Sequence, residues 1–575
     1  MVEEVDILFK NANVYNSYFK KFFKGHLAVK NDRIVYTGAV YPEQIKAEQE
    51  IDAAGKYIIP GLIDIHMHIE SSMAAPEQFA DEIIKHGLTT IVSEPHEIAN
   101  VFGIEGIKAM IKAGKEAAVD IFYAIPSSVP STSSKLETTG ADISVKEVAE
   151  LIGEDKVICL GEVMNNEAVL SGDQSLPINK ILSFLNENHP DYIIEGHIPS
   201  LVGEELAQFA ARGINSDHCL QSVERLQDRI YNGVFVEIQE KSLRPEVINY
   251  IIENDVYEHL ALVTDDVMAD TLVEDGHLDH ILRKIVEMGV SIENAIYMAT
   301  YTPAKRMRLY DRGTLAPNKR ADFIILDDLE SFAVEEVYAE GKKVYNKEKT
   351  AAKKYNKAFP AEFYNSVAID KLTEADLKIK HASNQEKVKC RIIEVKSEST
   401  YTEAKTAELK LENGFLDWEQ SEFNLAAVIS RYGSGDFARA LITGSTIKRG
   451  AVATTYAHDH HNLYLIASNV EDGLKAANWV IENQGGYCVV ENGEVKASLQ
   501  LEVAGILTEK PLPLLAEKIS KIREAMIELG YEHYNPIMSL STNTLPVSPA
   551  LKLTDKGLID VEKMEVVSLF IDEEE

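Results

Sequence analysis

Six residues in this chain have the types and spacing for hydrolytic metal chemistry. His66 and His68 form an H-x-H at the end of the apolar run YIIPGLIDIH. Residues two apart on a strand point to the same side, so both imidazoles face one way. Glu162, His197, His218 and Asp265 each stand at the end of a further short apolar run. Imidazole and carboxylate are ligands for divalent cations, and six of them suffice for two metals sharing a bridging carboxylate. Such cations bring a bound water to ionise near neutral pH, and Asp265 beside them is placed to accept and pass on a proton. Asp64 shares the face of His66 one layer lower and is a candidate support for the ligands. The plainer alternative for any one residue is a hydrogen-bonded polar group at a strand end.

Six such residues converge only if the chain builds a frame that brings strand ends together. Eight apolar runs recur: 57–66, 88–95, 119–126, 156–163, 191–197, 213–218, 233–239 and 259–265. Helix-like segments such as 76–87 and 202–213 separate them, the second closing on Gly213 as a helix stop. Strand and helix alternating eight times predicts an α/β fold, a (β/α)8 TIM-like barrel over 57–308, close to the ~250 residues usual for it. Active sites of such barrels lie at the strand C-termini. Residues 1–56 and the β-rich segment after the barrel are expected to form a small β-sandwich domain, its second part and a Lys-rich linker running over 309–370. Residues 371–575 read as a separate C-terminal α+β domain that includes an amphipathic helix near 514–530 and ends in a solvated acidic IDEEE tail.

Composition narrows the function. The 575 residues carry 92 Asp and Glu against 58 Lys and Arg, a net charge of −34. Such a surface repels phosphate backbones and anionic membranes, so neither nucleic acid nor membrane is an expected partner. No stretch reaches the ~18 apolar residues of a membrane span. The acidic opening MVEEVDILFK is unlike a signal peptide, and a cytoplasmic location is expected. Cys159, Cys219, Cys390 and Cys488 lie far apart, which excludes a disulfide framework and the C-x-x-C of the unrelated zinc deaminases.

The motifs PGLIDIHMHIESSM, TTIVSEPHEIANVFGIEGI, GEVMN, EGHIPSLVGEEL, SDH, TDD, EDGHLDH, AHDHHN and LPVSPALKLTDKGLIDV together resemble the bacterial adenine deaminases of the amidohydrolase superfamily, from near one end of the chain to near the other. The resemblance implies deamination of a small purine base, adenine, to hypoxanthine and ammonia in purine salvage. It implies His66, His68, Glu162, His197, His218 and Asp265 as ligands of two divalent metal ions, manganese (Mn2+) or Fe2+ favoured and Zn2+ also suited, and a homodimer by analogy. Glu162 stands where many superfamily members have a carboxylated lysine. The chain departs from the family pattern at Cys219 (Glu expected), Asn166-Glu167 (Phe-Pro), Arg431-Tyr432-Gly433 (a histidine run) and GSTIKRG over 444–450.

Past the first strand lie Glu70 and the substrate-binding candidates Ser71 and Ser72, and past the second lies Glu97. Either carboxylate is a candidate to bind a purine edge or relay protons, Asp265 being the third catalytic candidate, while loop capping is the plain alternative. His96 is a candidate support. The AHDHHN cluster of His458, Asp459, His460 and His461 reads as a second metal site or a lid over the barrel mouth, with His458 and His461 the candidates to cover the substrate and a solvated turn the alternative. His277 and His280 read as helix packing. Two other functions stay open: an amidohydrolase acting on a different purine or cyclic amide, and a metal-binding paralogue without catalysis.

Overall fold

The computed structural model describes residues 4–348, 353, 355–382 and 385–571. Most of the acidic tail and part of the Lys-rich segment lie outside the described residues. Five strands open the chain: β1 (Glu4–Asn16), β2 (Lys21–Lys30), β3 (Arg33–Gly38), β4 (Lys46–Asp52) and β5 (Tyr57–Pro60). Eight short ones follow: β6 (Leu62–Met67), β7 (Leu88–Ser93), β8 (Asp120–Ile125), β9 (Val157–Val163), β10 (Ile193–Gly196), β11 (Ser216–Asp217), β12 (Phe235–Ile238) and β13 (Leu260–Leu262). Then come β14 (Phe323–Leu326), β15 (Val334–Ala339) and β16 (Lys342–Asn346).

Strands β6–β13 fall one in each of the eight apolar runs, the first run also holding β5. They pair in parallel as a five-stranded sheet, β10-β9-β8-β7-β6, and a three-stranded sheet, β11-β12-β13. The strands are buried almost without interruption, as parallel strands covered on both faces must be. Backbone contacts join the two sheets at both seams. Asn215 N–H donates to Ile194 O at 3.3 Å, and Met67 bridges Asp265 in parallel, with Asp265 N–H donating to His66 O at 3.1 Å. Helices Pro76–Ile83, Pro177–Asn188 and Pro245–Asn254 each begin on a proline, where the missing N–H costs nothing.

One sequence expectation needs correction. The run 57–66 is two strands, not one. β5 pairs with β1 and antiparallel to β14, while β6 pairs with β7. The break is at Pro60-Gly61. Gly61 N–H donates to Asp322 O, and a Cβ on Gly61 would lie 2.1 Å from the Thr89 hydroxyl, so only glycine lets the chain cross there. Residues 57–60 thus belong to an eight-stranded sheet of order β16-β15-β14-β5-β1-β2-β3, with β4 parallel to β1. Two distant parts of the chain share that sheet. The helix expected over 202–213 forms over Gly203–Ala210, with Gly213 left-handed beyond it (φ 99°).

The C-terminal portion holds a nine-stranded sheet between residues 387 and 500, helices Val470–Glu482 and Leu512–Glu528, and a three-stranded sheet beginning at Leu551–Thr554. It packs on the strand ends. Thr508 N–H donates to Met73 O at 2.9 Å, and Arg523 pairs with Asp270 at 2.9 Å. Its buried side chains join those around β6–β13 in one apolar cluster, so the loop after β6 is roofed by distant sequence. Among the described residues no helix is long and apolar enough to cross a membrane.

Candidate active site

All six strand-end residues meet. His66 and His68, on β6 and just past it, have ring centroids 5.2 Å apart and nearly perpendicular planes. Their Nε2 atoms lie 3.7 and 3.4 Å from Asp265 Oδ1. Glu162, at the end of β9, joins two halves. Its Oε1 is 3.7 Å from His68 Nε2, and its Oε2 is 2.8 Å from His197 Nδ1 and 3.0 Å from His218 Nε2. The His66 and His218 rings stack at 3.8 Å. Asp265 has left-handed backbone (φ 61°), which Asp tolerates better than most residues. All six are buried except Asp265 and His197, whose side chains are 13% and 33% exposed.

The donor atoms fit divalent cations. His66, His68 and Asp265 form one group whose ligand atoms lie within 4.8 Å of one another, and His66, Glu162 and His218 form another. His66 Nε2 and Glu162 Oε2 are buried without a hydrogen bond, and His197 Nδ1 faces His218 Nε2 at 2.9 Å. Buried polar atoms left unpaired and converging are what a cation site presents. His68 Nδ1 donates to Glu94 O at 3.0 Å, which sets the tautomer and turns Nε2 toward Asp265 and Glu162.

The surrounding groups hold these ligands in their charged or oriented forms. Burial alone would raise Glu162, but the His218 and His197 imidazoles hold its carboxyl well below the usual range. Asp265 is likewise held low against burial, by Lys241 and by His66 and His68. Gln239 Nε2 donates to Asp265 Oδ2 at 2.6 Å and Lys241 Nζ is 3.5 Å from it, leaving Oδ1 for the histidines. Glu94 reaches under the site, accepting the Glu162 N–H at 2.6 Å. A Cβ at Gly161 would lie 2.3 Å from that carboxyl, so the glycine of GEV makes room for it. Burial and the Glu162 charge push Glu94 up to about 8. Asp64 supports the frame and not a ligand ring: it accepts the His66 N–H and the Thr264 N–H and hydroxyl, tying β6 to the end of β13.

A second cluster adjoins the first. Glu97, in the first turn of helix His96–Ala113, is buried, and its Oε1 lies 2.7 Å from His458 Nε2 and 3.5 Å from His96 Nε2. Its Oε2 accepts from His461 Nε2. Burial would raise Glu97, but His458, His461 and His96 hold it well below the usual range. Burial would lower His96, yet Glu97 raises it to about 10. The histidine loop is set from behind: Ala457 N–H donates to His461 Nδ1 at 3.3 Å, and Ser541 Oγ lies 2.5 Å from His458 Nδ1. Tyr432 donates to His460 O at 2.7 Å and Arg431 N–H to Asn462 Oδ1 at 3.1 Å, which braces the loop.

Glu70, Ser71 and Ser72 form a buried 3-10 turn beside His68. Neither Glu70 oxygen has a hydrogen-bond partner, and burial pushes its carboxyl to about 7. Ser71 donates to Asp266 Oδ1, and Ser72 to Ile69 O within its own turn. Cys219 lies beside His197 and His218, its thiol pushed up to about 11 by burial. His277 caps helix Leu278–Glu287 and lies against Thr264, while His280 faces Glu240 at 3.4 Å, so the two do not share a helix face.

Sequence reasoning missed Glu94, Gln239, Lys241 and Ser541. Gln239 closes the seventh apolar run, and Glu94 lies within the second, so position at a strand end was the available signal. Ser541 carried none.

Comparison with known proteins fits this geometry. Residues 57–344 match the amidohydrolase family and residues 399–565 the adenine deaminase C-terminal domain. An adenine deaminase of Clostridium perfringens (strain ATCC 13124) is 50% identical over 99% of this chain and 100% of its own length. Adenine deaminase 2 of Shouchella clausii is 49% identical over 99% of each chain. A solved adenine deaminase structure aligns with TM-score 0.44 and 18% identity over 60% of this chain and 100% of its own. With family matches over both parts of the chain and full-length relatives at this identity, the chain belongs to the adenine deaminases of the amidohydrolase family.

Proposed function

We propose that this chain hydrolyses adenine to hypoxanthine and ammonia, as purine salvage requires. The observation that carries the reading is Glu162, whose two oxygens face His68 on one side and His197 and His218 on the other, in a chain matching curated adenine deaminases over its length. We read the five- and three-stranded sheets as one closed eight-stranded barrel reaching to about residue 308. The small sheet domain takes residues before 61 and after 308, and residues 371–575 form the C-terminal domain.

His66, His68 and Asp265 would hold one divalent cation, and His197 and His218 a second, with Glu162 between them. Imidazole and carboxylate donors suit Mn2+, Fe2+ or Zn2+. Bound there, the cations would supply an acidified water. Asp265 would be the base for the attacking water, whose oxygen adds to C6 of the purine as the C6–N1 double bond opens onto N1. Gln239 and Lys241 hold the Asp265 carboxylate in place through Oδ2, and the proton it takes passes to the leaving amine as the ring double bond re-forms. The C6–N bond then breaks and ammonia leaves. Glu70, with two unpaired oxygens beside His68, and Ser71 are the proposed contacts to the purine edge. Glu97 is held by His458 and His461, which close the site from the C-terminal domain.

The test is an adenine absorbance assay coupled to ammonia detection on Mn2+-loaded protein, run beside cyclic amides. Stoichiometric hypoxanthine and ammonia are expected. Acid release from an amide with no turnover of adenine would overturn the proposal.

A further inference from the structure

The second half of the site offers one donor more than the reading above uses. His197 Nδ1 and His218 Nε2 converge at 2.9 Å, and Glu162 Oε2, buried and without a hydrogen bond, lies 2.8 and 3.0 Å from them. Cys219 joins the two histidines: its sulfur and a nitrogen of each lie within 4.8 Å of one another. The residue is 4% exposed and its backbone is pinned on both sides. Cys219 N–H donates to Asp217 Oδ1 at 3.0 Å, and Gln221 Nε2 donates to Cys219 O at 2.8 Å. Asp217 is itself held by the buried Arg229 at 2.8 Å. The sulfur is thus built into the wall of the site.

One sulfur and two imidazole nitrogens, beside the carboxylate oxygen that faces both imidazoles, are donors of the types that tetrahedral Zn2+ takes. A thiolate also shifts preference away from Mn2+, which favours carboxylate and water, toward softer cations. We propose that Cys219 is a thiolate ligand of the cation held by Glu162, His197 and His218, so that this position takes Zn2+, Fe2+ or Co2+ in preference to Mn2+. A sulfur–metal bond forms, the thiol proton leaves to solvent, and no electron is transferred. The inference rests on the two-cation reading proposed above.

Cobalt separates the two. The full-length protein is stripped with chelator and reloaded with Co2+, and bound cobalt is counted by mass spectrometry alongside the absorption spectrum. Two cobalt ions per chain are expected, with a near-ultraviolet thiolate-to-cobalt charge-transfer band. The band should be lost in Cys219→Ser and Cys219→Ala and kept in Cys390→Ser. Cobalt bound without the band in the unmutated protein, or a band that survives in both Cys219 variants, would overturn the inference and leave the two-cation reading standing. No cobalt bound at all would overturn both.

Discussion

Glu97 Oε1 lies 2.7 Å from His458 Nε2, which joins a helix beside β7 to a loop of the C-terminal portion. With His461 on the other oxygen, Glu97 has no oxygen free of a histidine donor. The C-terminal portion therefore completes the site by orienting a carboxylate. Glu97→Gln keeps the shape and removes the charge, and is expected to lower kcat for adenine by about 10²–10³-fold. Ser541→Ala leaves His458 Nδ1 unpaired and should lower kcat by roughly tenfold, within the range for residues that orient others. Steady-state kinetics with metal content and melting temperature measured in parallel decide this. A loss of activity that tracks loss of metal or of fold would mean that the histidine loop acts only as packing.

Glu162 faces both halves of the site, so its removal should cost more than a single ligand. In Glu162→Ala, adenine turnover is expected to vanish and bound metal to fall by at least one of two equivalents. Asp265→Asn should keep more of the metal, yet lose about 10²–10⁴-fold in kcat, because an amide cannot take the proton from water. Chelation of the unmutated protein should abolish turnover, and adding back Mn2+, Fe2+ or Zn2+ should restore it. Full activity in metal-free protein is the outcome that contradicts the assignment.

How much of this was readable beforehand depends on distance along the chain. The eight parallel strands were legible because a strand buried on both faces has to be an apolar run, and the candidate ligands stood out because they lie at or next to the ends of such runs. The split at Pro60-Gly61 was also written locally, as a Pro-Gly break inside the run, but its meaning came from Thr89 and Asp322, which fill the space around it. The clasp on Glu97 was a different case. His458 and His461 stood out by type, but their pairing with Glu97 is set by tertiary packing, and no periodicity carries it. Gln239 ends a strand as the ligands do, yet an amide is not a ligand type, so its hold on Asp265 needed coordinates.

Glu70 sets function against stability. Both its oxygens are buried without partners, a state that costs roughly 1–3 kcal/mol for an unsatisfied polar group. Glu70→Met, close in length and apolar, should raise stability by about 1–2 kcal/mol while lowering kcat/KM for adenine at least about tenfold. Thermal melts and kinetics on one preparation test both halves. Higher stability with unchanged kinetics would remove Glu70 from the purine contacts.

Lys552 gives a pH dependence remote from the metal ligands. Its side chain is fully buried, its Nζ donates to Thr400 O at 2.8 Å, and burial pushes the amine down to about 7. An unfolded lysine titrates near 10.4. Between about pH 7 and 10 the unfolded chain therefore binds a proton that the folded chain does not, and stability contributed at this site rises with pH, by at most about 1.4 kcal/mol per unit. Below pH 7 both states are protonated and the full cost of burying the ammonium is present. Lys552→Met removes that cost and loses one hydrogen bond worth about 1 kcal/mol. The variant should melt higher than the parent at pH 7, and the gap should narrow steadily toward pH 9. Melting curves that stay parallel across that range would mean that the Lys552 amine is not displaced from its ordinary value.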